Sequence, residues 1–312
     1  MKTIKNLLLL VLCAAAVAGC NKGSYRKTTG GMPYKVFSGK DTTKVKAGDF
    51  IKVQLTQKIN DSVYFSTSKL PLYLQVAPTP QPYDISEIWT KLEVGDSIVA
   101  TQMMDTFIAR SPANVPPQFK KGDKIITYAR VIAVFSSDSS ARLDDEKGRK
   151  ELLAAEIAEV AKFVEAKKVT TQKTPSGAYI EIINPGTGAD VDSGKYVSVN
   201  YTGTTFAGVV FDSNTDTSFH HTEPYPFVAG SGSMIKGFDE AVQFLKVGGV
   251  AKVYVPSMLA YGGNPSSPKI KPYEHLMFEI QVVDMKDKMP TRPEMRPQIE
   301  MPGQKVDAPQ PK

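Results

Sequence analysis

Few residues in this chain are of a type and spacing to do covalent or metal chemistry. Its two cysteines, Cys13 and Cys20, both fall in the first twenty of 312 residues, so the rest can hold no disulfide framework, thiolate metal site or cysteine nucleophile. His220, His221 and His275 have no cysteine or carboxylate partners at metal-ligand spacing, and the His220-His221 pair sits in a polar stretch that reads as a solvated loop. No serine elbow and no phosphate-cradling glycine loop occurs. What stands out is a set of aromatic side chains with few polar members, spread between Tyr201 and Phe278. They provide walls, not nucleophiles or metal ligands.

The elements that must position these rings are legible as periodicities. Val197, Val199 and Tyr201 alternate with polar residues, as do Leu276, Phe278, Ile280 and Val282, so each run reads as a strand with one buried face. Between them Phe238, Ala241, Val242 and Leu245 lie at helical spacing, with Gly248 placed to end the helix. One short helix covering one face of an antiparallel sheet is an α+β arrangement. A second copy precedes it: Gly48, Phe50, Ile51, Val53, Leu55 and Thr56 fall 146 positions before Gly194, Tyr196, Val197, Val199, Tyr201 and Thr202, and Phe65 pairs with Phe211 at the same offset. Leu92, Val94 and Gly95 parallel Leu245, Val247 and Gly248, and Val131 and Ile132 parallel Val282 and Val283.

Between the copies, Leu143 to Val169 has no proline, carries acids early and lysines late, and sets Leu153, Ile157, Val160 and Val164 on one stripe. This predicts a linker helix over about 141–170 whose stripe packs on a domain or, alternatively, forms the seam of a homodimer. The expected order is a leader over 1–19, a tether over 20–40, a first domain over 41–137, the helix, a second domain over 174–286, and a disordered proline-rich tail over 287–312.

Hydrophobic residues at 41% and charged residues at 22% exclude wholesale disorder and a polytopic membrane protein. The net charge of +6 includes Lys2 and Lys5 of the leader and forms no basic block, so no nucleic-acid partner is expected. Lys2 and Lys5 precede the apolar run Leu7 to Ala18, the pattern of an export signal. Val17-Ala18-Gly19-Cys20 resembles the lipobox of bacterial lipoproteins, which implies cleavage before Cys20, its lipidation, and a membrane anchor. Asn21 lacks the aspartate that retains some lipoproteins in the inner membrane, so an outer-membrane location is expected.

From about Thr174 to Met285 the chain resembles the FKBP-type peptidyl-prolyl isomerases. Val199-Asn200-Tyr201-Thr202-Gly203, Val210-Phe211-Asp212-Ser213, Met234-Ile235-Lys236-Gly237-Phe238, Leu259-Ala260-Tyr261-Gly262 and Leu276-Met277-Phe278-Glu279 carry the likeness, in the family's order. The resemblance implies two FKBP-like modules joined by a long helix, the first degenerate, and isomerase activity on proline-containing exported polypeptides without cofactor or metal. By resemblance, Tyr201, Phe211, Asp212, Tyr261 and Phe278 are catalytic, and Tyr225, Phe227, Met234, Ile235, Phe238 and Ile270 bind substrate. The Ile235 N–H and the Tyr261 hydroxyl would hold flanking carbonyls, with Tyr201 bonded to Asp212. Phe238 stands where the family often has tryptophan, Lys269 replaces an apolar loop residue, and Ser213 to Pro224 is longer than in compact members. A non-enzymatic envelope scaffold with a vestigial pocket is the alternative.

In the first copy, the offset sets Leu55 at the place of Tyr201 and Ser66 at that of Asp212, and the helix count from Leu92 sets Ile85 at that of Phe238 and Trp89 at that of Val242, where its indole reads as helix packing. The loop bearing Tyr261 has no counterpart before Lys124. Such a pocket either holds chain segments or, the reading preferred, is filled by Phe65 and Leu70 as core.

Overall fold

The computed structural model describes residues 24–67, 69–110, 115 and 119–288. The chain divides into two units, Met1–Ala155 and Glu156–Lys312. In the first, strands β1 (Arg26–Lys27), β2 (Pro33–Phe37), β3 (Phe50–Ile59), β4 (Ser62–Ser66), β5 (Leu72–Gln75), β6 (Ser97–Met103) and β7 (Lys124–Phe135) form one antiparallel sheet. Its order is β1-β2-β6-β7-β3-β4, with β5 also on β3. Ile51, Val53 and Leu55 in β3, and Ala129 and Val131 in β7, are buried at alternate positions, as a period of two requires when one face meets a core.

Two expectations about the elements of this unit fail. The stretch 20–40 is no tether from Ser24 onward, because β2 pairs with β6 and Met32 and Tyr34 are buried in the core. Its glycines belong to a turn: the Thr28 hydroxyl accepts the Met32 N–H, and Gly31 takes a φ of 90°. In place of a helix around Ile85 there are two 3-10 turns, Ile85–Glu87 and Trp89–Lys91, the first capped by Asp84. Trp89, in the second turn, packs in the core, and a short helix α1 (Met104–Arg110) follows β6.

Helix α2 runs over Asp138–Lys167, starting a few residues before the expected linker. Within the first unit its Asp144 accepts from Lys52 (2.7 Å) and Tyr73 (2.6 Å), and these bonds hold the Asp144 carboxyl below its usual range. Within the second unit its Val160 and Val164 pack with Tyr254, and Ile157 lies against Gly177. Three of the four stripe residues are thus used inside the chain, which removes Val160 and Val164 from any dimer seam.

The second unit repeats the first. Strands β8 (Gln172–Lys173), β9 (Tyr179–Asn184), β10 (Tyr196–Thr205), β11 (Val210–Ser213), β12 (Tyr225–Val228), β13 (Val250–Val255) and β14 (Leu276–Lys286) take the order β8-β9-β13-β14-β10-β11, with β12 on β10. The match extends to single bonds. Thr28 N donates to Met32 O as Thr174 N does to Ala178 O, Gly48 N to Val76 O as Gly194 N to Ala229 O, and Gly95 N to Val131 O as Gly248 N to Val282 O. Glu87 accepts the Gly30 N–H, and Glu240 the Ser176 N–H.

The offset slips by one in the β10–β11 connection. Gln57 pairs with Phe65 and Gly203 with Asp212, each pair beside a bulge, so Phe65 is the counterpart of Asp212 and Tyr64 that of Phe211. Ser66 therefore does not stand for Asp212. Phe65 is 40% exposed and does not fill the first core, whereas Leu70 is buried.

Helix α3 (Lys236–Val242) buries Phe238, Ala241 and Val242 but ends before Leu245, and Gly248 serves the turn into β13 at a φ of 85°. The expected export signal, Cys20 anchor and most of the tail lie outside the described residues. Asp287 is described, ion-paired to Lys195 at 2.6 Å. No helix among the described residues is long and apolar enough to cross a membrane.

Candidate functional site

The second sheet and α3 bring five rings into a continuous edge-to-face chain. Phe211 meets Phe278 at 5.7 Å and 87°, Phe278 meets Phe238 at 5.3 Å and 88°, and Phe238 meets Tyr201 at 6.1 Å and 89° and Phe227 at 6.0 Å and 63°. Each geometry sets the positive edge of one ring on the negative face of the next. Phe211, Phe227, Phe238 and Phe278 are buried, while Tyr225, at 6.4 Å from Tyr201, is 45% exposed and stands at the rim.

The local sequence explains each placement. Tyr201 and Gly203 share a face of β10, and Phe211 occupies the bulge of β11, which swings its ring over Gly203. A Cβ at Gly203 would lie 2.5 Å from the Phe211 ring and 3.0 Å from that of Phe278, so only glycine leaves room for both. Tyr225 and Phe227, two apart in β12, point the same way. Phe238 lies in the first turn of α3, ahead of which Asp239 accepts the N–H groups of Gly230 (2.7 Å) and Gly232 (2.9 Å) and so shapes the loop into the helix.

One carboxylate stands beside the rings. Asp212 Oδ2 accepts the Tyr201 hydroxyl at 2.6 Å, and Oδ1 lies 2.9 Å from His221 Nε2. Burial, and then the bond to Asp212, push the Tyr201 phenol far above the ordinary tyrosine range, so it remains a donor. The long 213–224 segment is pinned by Asn214, 2% exposed, which accepts the Tyr201 N–H at 2.7 Å and donates to Val199 O at 2.9 Å and Glu223 O at 3.0 Å.

The loop between β13 and β14 carries Tyr261 and the buried Ile270. Glu156 of α2, 1% exposed, accepts the Ser257 hydroxyl and the Met258 N–H, four and three residues before Tyr261. At the other end of the loop His275 Nδ1 accepts the Ser257 N–H at 3.1 Å, which leaves Nε2 to donate to Glu159 at 3.1 Å. Phe163 stacks on Phe206 at 3.9 Å beside this grip. The last third of α2 thus belongs to the domain that bears the site.

Of the residues singled out in the sequence, Tyr201, Phe211, Asp212, Phe227, Phe238 and Phe278 converge, with Tyr225 at the rim. Met234 instead borders a groove with Ser193, Gly230, Gly232, Lys236 and Asp239, none of them a ring of the set. Ile235 is the N-cap of α3, its carbonyl accepting from Phe238 and Asp239. Sequence reasoning missed Asn214, Glu156 and His221. The first two act through bonds to backbone or loop, which leave no periodic trace. The sequence around His221 is that of a solvated loop, and only the fold of 213–224 brings it to Asp212.

Comparison with known proteins places this region. Residues 188–283 match the model for FKBP-type peptidyl-prolyl cis-trans isomerases. The chain is 35% identical over 107 residues to the FK506-binding protein of Neisseria meningitidis serogroup B, covering 34% of this chain and 94% of that one. Against the outer membrane protein MIP of Legionella longbeachae it is 34% identical over 153 residues, 45% of this chain and 63% of the other. It spans only 28% of the FK506-binding protein 4 of Rhizopus delemar, at 36% identity over 114 residues. The crystal structure of FkpA from Escherichia coli is similar at 25% identity over 48% of this chain and 68% of that one, with a TM-score of 0.36.

Proposed function

Since the chain belongs to the FKBP-type peptidyl-prolyl cis-trans isomerase family, we propose that its second domain turns over X-Pro peptide bonds in the ring-lined recess between Tyr201 and Phe278. Rotation about a peptide bond faces a barrier of about 18–20 kcal/mol because the C–N bond is conjugated, while the cis and trans forms of X-Pro differ by only about 0.5–1 kcal/mol. A catalyst therefore has only to favour the twisted amide. Twisting removes conjugation and lowers the amide dipole, so a dry aromatic recess around the proline ring disfavours the planar state more than the twisted one. In this reading Phe211, Phe227, Phe238 and Phe278 are the walls, and Asp212, held by Tyr201, faces the rotating carbonyl. Tyr261 and the Ile235 N–H hold the neighbouring carbonyls.

The observation that carries the proposal is the unbroken edge-to-face chain of rings ending at the Tyr201–Asp212 bond. Asp212→Val combined with Phe278→Ala deletes the carboxylate and one wall. In the full chain this pair should lower kcat/KM for a short X-Pro peptide at least tenfold, the equivalent of about 1.4 kcal/mol of lost transition-state preference. Undiminished turnover by a double variant with native circular dichroism would place catalysis elsewhere.

The same proposal extends to place and clients: a lipid anchor at Cys20, an outer-membrane location and exported polypeptides as substrates. The Leu7 to Cys20 pattern supports it, as does the likeness to the outer membrane protein MIP of Legionella longbeachae. Cys20→Ala should move the protein from the membrane fraction to the soluble one. An unmodified mature N-terminus on the wild type, read by mass spectrometry, would remove the anchor from the proposal.

A further inference from the structure

The carboxylate of Asp212 has two oxygens with different partners. Oδ2 is taken by the Tyr201 hydroxyl, and Oδ1 faces His221 Nε2 at 2.9 Å, with the imidazole stacked 6.5 Å from the Tyr201 ring. His221 is brought there by a built loop. Asn214 ties both ends of 213–224, Asp216 accepts the Ser218 N–H at 2.9 Å, His220 turns the chain with a φ of 60°, and Lys269 lies 4.6 Å over the Phe219 ring. The imidazole is 47% exposed and Asp212 38%, so the pair stands at the mouth of the recess, open to solvent and to substrate side chains.

We propose that His221 is a specificity-determining residue of the isomerase site: its protonation decides whether the mouth of the recess carries the charge of Asp212, and so which charge is accepted on the residue next to proline. The inference rests on the recess being the prolyl site. As an imidazole, His221 donates one hydrogen bond and leaves the aspartate negative, which repels an acidic residue before proline and favours a basic one. As an imidazolium it forms an ion pair and cancels that charge.

The groups around the pair are Tyr201 on β10, Tyr225 on β12, Tyr261 and Lys269 on the β13–β14 loop, and Asp216, His220 and Glu223 on the histidine's own loop. Tyr201 is held protonated, and Lys269 is engaged by the Val210 carbonyl at 3.2 Å and attracts Asp216. Lysine, tyrosine and carboxylate side chains ordinarily keep one charge state between about pH 5.5 and 8, so histidine is the residue type here that changes charge in that window. Of the two histidines, the one bonded to Asp212 is His221.

The test is the ratio of kcat/KM for a Glu-Pro peptide to that for the matching Lys-Pro peptide, measured on the full chain at about pH 8 and about pH 5.5. A unit charge cancelled roughly 6 Å from the substrate charge in a watery mouth changes each rate by about threefold, up for Glu-Pro and down for Lys-Pro, and so predicts a rise of about tenfold in the ratio on acidification. The rise should shrink in about 1 M salt. His221→Gln, which keeps a donor but cannot titrate, should give a ratio that does not move with pH. His221→Lys should hold the low-pH ratio throughout, and His220→Gln should behave as wild type. A flat ratio in an active wild type, or the same rise in folded His221→Gln, overturns this inference alone. A wild type that turns over neither peptide at any pH overturns the reading of the recess and this inference with it.

Discussion

Gln57 and Gly203 occupy the same place in the two sheets, and the contrast between them accounts for much of what separates the two domains. Gly203 leaves a gap into which Phe211 and Phe278 fold their rings. Gln57 has a side chain there, bonded at 3.2 Å to Thr127, which is the register counterpart of Phe278. Tyr64, the counterpart of Phe211, is 49% exposed and meets Phe119 edge-on at 5.5 Å. Leu55 and Ile85 stand where Tyr201 and Phe238 stand, and Phe65 where Asp212 does. Meanwhile the bonds that set the register are kept: Thr67 accepts the Leu55 N–H at 2.7 Å as Asn214 accepts that of Tyr201. One set of residues specifies the fold, another the cluster of rings, and the sets barely overlap.

The strongest way to break this comparison is to separate the domains. A fragment from Asp138 to Lys288 should isomerise an X-Pro peptide nearly as fast as the full chain. One covering Ser24 to Ser137 should show no turnover, and activity there would mean that the ring set is not the determinant. A fragment starting at Lys173 lacks Glu156, Glu159 and Phe163, so its Tyr261 loop is released. Its kcat/KM should fall several-fold relative to the longer fragment, by about 0.5–1 kcal/mol of lost positioning. Equal rates would show that the grip of α2 on the loop is immaterial to catalysis.

A smaller effect sharpens the comparison at the register residues. Asn214→Ala removes three bonds to backbone, leaving buried groups unpaired, and should lower stability by about 2–3 kcal/mol. Thr67→Ala removes contacts to Leu55 alone and should cost about 1–2 kcal/mol. Denaturant midpoints of the two variants in the full chain check the order. Equal shifts, or a larger one for Thr67→Ala, would refute it.

Much of this was legible in the sequence. Strands such as Val197 to Tyr201 announce themselves because alternate burial leaves a period of two, and the ring positions follow once the motifs around Tyr201, Phe211 and Phe278 are aligned. The first domain's opening strands were hidden because Gly30, Gly31 and Pro33 look like linker composition. The pairing of β1 with β2 and the bonds between Thr28 and Met32 make a hairpin of them in the fold. The one-residue slip at Phe65 was invisible because an offset fixed on β3 carries no information about turn length. Glu156 was unreadable for another reason: its neighbours Lys147, Arg149 and Lys150 form ordinary surface ion pairs on the same helix, and only tertiary contact marks it out.

Gly203 also constrains the order in which such a cluster of rings can be gained or lost through single substitutions. A side chain introduced at 203 while Phe211 and Phe278 are present collides with both, so the rings must be replaced first. Conversely, the Tyr64 ring and a ring added at 127 gain no seat until Gln57 has been reduced to glycine. Each intermediate gives up packing before anything is recovered, and that sign-dependent coupling makes either state a trap from which stepwise change does not readily escape.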